Sequence, residues 1–101
     1  MIDPVTSADM PDSALLLSEA ISRAPDEPVN YILRGEVWLG VGDTGRAAAD
    51  FLKAQELARR RWASSAWGYL DQAYCDRAEA GLAACGAAGA RQRELEQSLR
   101  L

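Results

Sequence analysis

The segment from Tyr31 to Ala54, YILRGEVWLGVGDTGRAAADFLKA, restricts the fold of this chain more than any other stretch. On both sides of the Gly42-Asp43 pair, apolar or small residues recur every three or four positions. This spacing places them on one face of an α-helix. Gly42 suits the positive φ of a helix end, and Asp43 is a suitable N-cap for the next helix. The segment therefore predicts two packed helices joined by a tight turn.

The same turn contains a second pattern, because Gly40, Gly42 and Gly45 spell G-x-G-x-x-G. Loops of this kind hold phosphates when they follow a β-strand within a βαβ unit, and Walker loops add a Lys followed by Ser or Thr. Here the preceding residues have helical spacing, and Arg46 is followed by Ala. We therefore interpret the glycines as a turn between helices and expect no cofactor.

The remaining sequence extends the helical pattern. Helix formers dominate, and the four prolines all precede residue 29. Asp12 is a candidate N-cap for the first helix, and the Pro25 to Pro28 segment predicts a corner before the second. The third helix is expected from about Thr44 to Arg60. After a flexible tail of residues 1–9, we predict one all-α domain over residues 10–101, with antiparallel helical hairpins and about five helices.

The boundaries of the last predicted helices are less defined. Residues 62–85 have helical spacing throughout and fit either one long helix or a hairpin. The glycines in the Gly86–Gly89 segment predict a link, followed by an amphipathic helix over residues 90–101.

Charge and composition exclude several classes of function. The net charge is −4, and the stretch through Glu36 contains seven acidic residues against two basic ones. This balance lacks the basic footprint of a nucleic-acid-binding protein. The Arg59–Arg61 run is expected to be a solvated helix end. The first residues resemble neither a secretory signal nor a membrane span, so we expect a cytoplasmic protein without membrane contact.

The sequence contains few residues suited to metal binding or catalysis. The chain has no His, and Cys75 and Cys85 lack C-x-x-C spacing, so no zinc or other metal site is expected. Both cysteines are interpreted as small buried residues in a reducing compartment. No Ser or Cys has a recognisable catalytic partner, and acidic pairs such as Asp76 with Glu79 are expected to be solvated. The sequence predicts no enzyme activity.

Within residues 28–61, aromatic and small residues recur at fixed spacing, at Tyr31, Gly35 and Trp38 before the turn and at Ala47, Phe51 and Ala54 after it. This spacing resembles the tetratricopeptide repeat (TPR). The match departs from the family pattern at Arg34, which replaces a Leu, and at Arg59, which replaces the closing Pro. Residues 12–25 resemble a preceding half repeat. Residues 62–89 resemble a degenerate following repeat, which contains Trp67, Leu70 and Tyr74. Residues 90–101 would form a C-terminal helix. The six residues named first, from Tyr31 to Ala54, are called the packing signature.

This resemblance implies a scaffold that binds a peptide or helix of another protein in a concave groove, as an adaptor, assembly factor or chaperone. Because the groove would be largely apolar with an acidic rim, an amphipathic or basic segment is the expected partner. The alternative is homodimerisation, or permanent assembly as a structural subunit of a larger oligomer. An array with so few repeats has open edges that another subunit would cover. The expected groove residues are Val29, Ile32, Leu33, Glu36, Leu39, Gln72 and Cys75.

Overall fold

The computed structural model describes residues 10–63 and 68–99, and this part of the chain is all-α, as predicted. Its helices are α1 (Asp12–Arg23), α2 (Pro28–Gly40), α3 (Thr44–Trp62) and α4 (Gly68–Leu99). The predicted tail of residues 1–9 lies outside the described residues, and so does Trp67, which belongs to the predicted degenerate repeat.

The turn signals around α2 act as predicted. Pro28 occupies the first turn of α2. Backbone N–H groups in this turn have no partner within the helix, so the missing N–H of proline removes no hydrogen bond. Gly42 has φ +85°, and the Asp43 carboxylate accepts a hydrogen bond from the backbone N–H of Arg46 at 3.1 Å. The predicted cap at Asp12 is wrong. Asp12 is the first residue of α1 and makes no capping hydrogen bond, because the helix begins one residue earlier than expected, directly after Pro11.

α4 is a single helix of 32 residues, so the predicted link at residues 86–89 does not occur and the described chain has four helices rather than about five. A glycine inside a helix costs roughly 1 kcal/mol relative to alanine. Gly86 and Gly89 are separated by two alanines and preceded by two more in the stretch AACGAAGA. Alanine is the strongest helix former, and with its neighbours it keeps the helix continuous.

Phe51 on α3 is the centre of the core. Its side chain is fully buried, between Gly35 of α2 and Gly81 of α4. A Cβ at Gly35 would lie 2.9 Å from Phe51 Cε1, and one at Gly81 would lie 2.5 Å from Cζ. Both glycines are therefore required for the ring to pack between the two helices. All six residues of the packing signature are buried: Tyr31, Gly35, Trp38, Ala47, Phe51 and Ala54.

The helices pack in chain order. α1 packs on α2, α2 on α3, and α4 runs along α3 while also contacting α2. The Cα extents are 55 × 39 × 14 Å, and the smallest equals about the thickness of two packed helices. Each helix therefore keeps one side on the surface, and the face shared by α2 and α4 is accessible.

Candidate functional site

The predicted groove residues of α2 separate into surface and core positions. Val29, Leu33, Glu36 and Leu39 are partly exposed, whereas Ile32 is fully buried. Leu39 also packs against the core cluster. Val29, Leu33 and Glu36 follow an i, i+4, i+7 spacing and therefore lie on one side of α2. These three residues form the accessible α2 side of a groove.

The α4 side of this groove differs from the expectation. Cys75 is buried, with its Sγ 4.0 Å from the Gln55 carbonyl of α3, and Gln72 is exposed. The α4 side chains that face Val29 across a cleft are instead Leu70 and Tyr74. The predicted positions on α4 came from aligning Trp67 and Tyr74 with the repeat pattern. Packing of Asp71, Cys75 and Ala78 against α3 rotates α4 away from that arrangement.

A cleft of about 420 Å³ lies between the α1–α2 corner, the end of α3 and the start of α4. Its lining combines apolar walls with a charged pair, and Val29 is the residue that the sequence had placed in the groove. The cleft is open to solvent and large enough for one or two side chains of a bound segment. The lining residues are Glu27, Val29, Arg61, Leu70 and Tyr74.

Arg61 organises the charged side of the cleft. Its Nε donates to Asp71 Oδ1 at 2.7 Å, and one terminal nitrogen lies 2.6 Å from the same oxygen. Its other terminal nitrogen donates to Glu27 Oε2 at 3.0 Å. The guanidinium carbon also lies 5.9 Å from the centre of the Tyr74 ring. One side chain therefore joins the α1–α2 corner, α3 and α4.

The two charges of this pair depend on each other. Asp71 is fully buried, and its Oδ2 atom has no hydrogen-bond partner within residues 10–63 and 68–99. The hydrogen bond with Asp71 raises the pKa of Arg61 above its ordinary value, and Glu27 adds to this increase. Arg61 is thus held as a cation at the edge of the cleft. Removing it would leave a buried carboxylate uncompensated, which typically destabilises a protein by about 3–5 kcal/mol.

Glu36 and Arg77 continue the charged edge from α2 to α4. The Arg77 guanidinium donates to both carboxylate oxygens of Glu36, at 2.8 and 2.5 Å. Both side chains are more than a third exposed, so the pair contributes at most about 1 kcal/mol to stability. The pair is relevant here because of its position, since it connects α2 and α4 next to Leu33. The name α2–α4 groove is used here for the surface formed by Val29, Leu33, Glu36, Leu70, Tyr74 and Arg77.

Sequence reasoning missed the role of Arg61. Arg59 and Arg60 are exposed and pair with Glu79 and Glu56, which fits the predicted solvated helix end. Arg61 instead turns inward. The available signal was Asp71, which stands at the glycine position of the predicted repeat and within the apolar stripe of α4. A buried acid at such a position needs a basic partner, and Arg61 lies within reach across the helix junction.

Comparisons with protein-family models, curated proteins and solved structures gave no significant match. Among the described residues, no group of three metal-ligating side chains comes together. In the same residues, no helix combines the length and the apolar character that crossing a bilayer requires.

Proposed function

We propose that this chain is a protein-interaction module that binds an amphipathic segment of another protein in the α2–α4 groove. The observation that carries the proposal is the cleft at one end of this groove, where Val29, Leu70 and Tyr74 surround the Arg61–Glu27 pair. An apolar side chain of the partner would enter between the three apolar residues. Polar groups of its main chain would reach Arg61 or Glu27 at the edge.

The packing of α4 against both helices of the α2–α3 hairpin supports a TPR-like stacking of these elements as part of this proposal. In such an array the first helix of each pair faces the binding groove, and α2 and α4 would be those helices. An adaptor, assembly factor or chaperone would use the groove in the same way, by holding a segment of its partner.

The charges of the groove refine the partner chemistry. An acidic rim was expected to favour a basic segment, but Glu36 is paired with Arg77 and Glu27 with Arg61. These pairs leave little unbalanced negative charge at the rim. The proposed partner is therefore selected mainly by its apolar side chains, each of which contributes roughly 1.5–3 kcal/mol when fully buried, before the loss of conformational entropy.

The experiment is selection from a random-peptide phage library on the immobilised protein, followed by binding measurements with the enriched peptides. We expect enriched peptides with recurring apolar positions. Leu70→Ser should weaken their binding by about tenfold or more, because Leu70 forms one wall of the cleft. The matched control is Leu52→Ser, since Leu52 is an exposed leucine of α3, with 55% of its surface accessible against 38% for Leu70.

Both variants change an exposed leucine in the same way, so circular dichroism should show similar melting temperatures for both and for the wild type. The proposal fails if the library yields no enriched peptide. It also fails if the enriched peptides bind Leu70→Ser as tightly as Leu52→Ser.

A further inference from the structure

The end of α4 extends beyond the start of α3. α4 runs antiparallel to α3, because Arg61 contacts Asp71, Gln55 contacts Glu79 and Phe51 contacts Gly81. Going from Arg61 back to Phe51 along α3 corresponds to going from Asp71 forward to Gly81 along α4. By the same one-to-one correspondence, the first residue of α3, at position 44, lies level with about residue 88 of α4. Residues 91–99 are all exposed. The name α4 extension is used here for residues 88–99.

The apolar face of α4 continues into this extension. Leu95 and Leu99 follow Gly81, which packs against Phe51 of α3, by fourteen and eighteen residues. At 100° per residue, this spacing places both leucines within about 40° of Gly81 around the helix. Cys85 is buried in the core, whereas Leu95 and Leu99 are 65% and 86% exposed. The face that packs on α3 therefore continues past the end of α3 with two uncovered leucines.

Charged residues flank this face in a self-complementary order. At 100° per residue, Arg91 and Glu94 lie on one side of the leucines, and Arg93 and Glu96 lie on the other. None of these four side chains forms an ion pair within the described residues. Each flank therefore offers one cation and one anion to another helix.

We propose that the α4 extension pairs with the α4 extension of a second copy of this chain, antiparallel and around a two-fold axis. A two-fold axis of this kind keeps each flank against the same flank of the other copy. Arg91 then meets the partner's Glu94, and Arg93 meets the partner's Glu96. Leu99 packs against the small residue Ala88 of the partner, and Leu95 packs against Gln92 of the partner.

Sterics select the antiparallel direction. In a parallel pair, the earlier part of the second α4 would run along the face of the first α4 that α3 already occupies. In the antiparallel pair, the second α4 approaches from beyond the α3 end, and the two bodies lie at opposite ends of the paired extensions. The second copy thus continues the packing that α3 begins.

The paired extensions are short, about 18 Å long, so we expect a weak, reversible dimer. This arrangement is the smallest form of the structural-subunit alternative, and it does not depend on what the α2–α4 groove binds. The two surfaces are distinct, so one chain can carry both.

The first experiment is sedimentation velocity of the full chain over a concentration series. We expect a reversible monomer–dimer equilibrium for the wild type. Leu95→Ser with Leu99→Ser should give monomers throughout the series. Leu15→Ser with Leu16→Ser is the matched control, because these are two exposed leucines of α1, and it should dimerise like the wild type.

A charge-reversal series tests the direction of the pair. Arg91→Glu should raise the dimer Kd by about tenfold, since two-fold symmetry introduces two repulsive contacts at once. Combining Arg91→Glu with Glu94→Arg should return the Kd to within about twofold of the wild-type value. A wild-type chain that stays monomeric, or a dimer that survives the loss of Leu95 and Leu99, would overturn the proposal. Rescue of Arg91→Glu by Glu96→Arg instead of Glu94→Arg would overturn the antiparallel arrangement.

Discussion

Two arginine–aspartate pairs hold the helices of this molecule together, and they differ in how completely the carboxylate is bonded. Arg34 reaches both oxygens of Asp50, at 2.8 and 2.7 Å, and its remaining nitrogen donates to Ser18 Oγ at 3.0 Å. Arg61 reaches only Oδ1 of Asp71 and leaves Oδ2 without a partner among the described residues. The first pair joins α1, α2 and α3, and the second joins the α1–α2 corner, α3 and α4.

This difference separates a structural contact from a candidate site. The Arg34–Asp50 pair has the bidentate geometry that gives the strongest arginine–carboxylate hydrogen bonds, and its hydrogen bond raises the pKa of Arg34. Such a pair has little capacity left for a ligand. Both pairs line an open cleft, but only the Arg61–Asp71 pair leaves an oxygen of a fully buried carboxylate without a partner among the described residues. Arg61 is the member of this pair that lines the cleft and that a bound segment would contact.

The largest expected effect comes from removing the cation of the second pair. Arg61→Met should lower the free energy of unfolding by about 3–5 kcal/mol, because Asp71 stays buried without compensation. Urea unfolding monitored by circular dichroism measures this value. Arg60→Met is the control, since Arg60 is exposed and pairs with Glu56 on the surface, and it should change stability by less than about 0.5 kcal/mol. Similar losses for both variants would show that the Arg61–Asp71 pair is not buried as described.

A second substitution tests whether packing, with both ion pairs intact, sets the distance between α3 and α4. Gly81→Ala places a Cβ against the rigid end of the Phe51 ring and should lower the free energy of unfolding by about 1–3 kcal/mol. Gly86→Ala places its Cβ in open space and should raise it by about 0.5–1 kcal/mol through helix propensity. In urea unfolding, the two variants should therefore change the free energy of unfolding in opposite directions. A stabilising Gly81→Ala would contradict the placement of Phe51 between α2 and α4.

The bonding difference itself can be measured with two amide substitutions. Asp71→Asn keeps Oδ1 as the acceptor for Arg61 and places the amide nitrogen where Oδ2 had no partner. Asp50→Asn sets an N–H group against a donor of Arg34. We therefore expect Asp50→Asn to be more destabilising than Asp71→Asn by about 1 kcal/mol in urea unfolding. Equal losses, or a larger loss for Asp71→Asn, would mean that both oxygens of Asp71 are bonded in solution.

The smallest expected effect is the dependence of stability on pH through Cys75 and Cys85, the two thiols on the face of α4 that carries Asp71. Burial raises the pKa of both Cys75 and Cys85 above the ordinary thiol range. Because the folded state holds these protons more tightly, their contribution to stability is complete below about pH 8.5, the ordinary thiol pKa, and declines as the pH rises through the raised values.

Alkylation by iodoacetamide at about pH 8.5 measures the same property. Both thiols should react more slowly in the folded protein than in urea. A cysteine introduced by Ser98→Cys, at an exposed position, should react at nearly the unfolded rate. Fast alkylation of Cys75 in the folded chain would show that this face of α4 is not packed against α3.

Local sequence signals predicted the parts of the fold that depend on neighbouring residues. The ends of α2 and the start of α3 follow from Pro28, Gly42 and Asp43, whose backbone preferences act within one turn. Helical spacing places Val29, Leu33 and Glu36 on one side of α2, whereas their role in a groove is implied by the resemblance to the tetratricopeptide repeat and stays a prediction. These features require no knowledge of distant contacts.

The features that the sequence did not predict depend on contacts between distant residues. The rotation of α4, which keeps Cys75 out of the groove and presents Leu70 and Tyr74, is set by the packing of α4 on α3. The role of Arg61 depends on Asp71 across the helix junction and on Glu27, which is 34 residues away in the chain. The continuity of α4 through Gly86 is the exception, because it reflects the helix propensity of the neighbouring alanines, which outweighs the effect of the two glycines.

The most direct test of the proposed function is an NMR titration of the ¹⁵N-labelled full chain with a peptide selected from the phage library. We expect the largest amide shift changes at Val29, Leu33, Leu70 and Tyr74, with little change near the fully bonded Arg34–Asp50 pair. Shift changes centred on Arg34 and Trp38 instead, or spread evenly over the molecule, would contradict the assignment of the α2–α4 groove as the binding site.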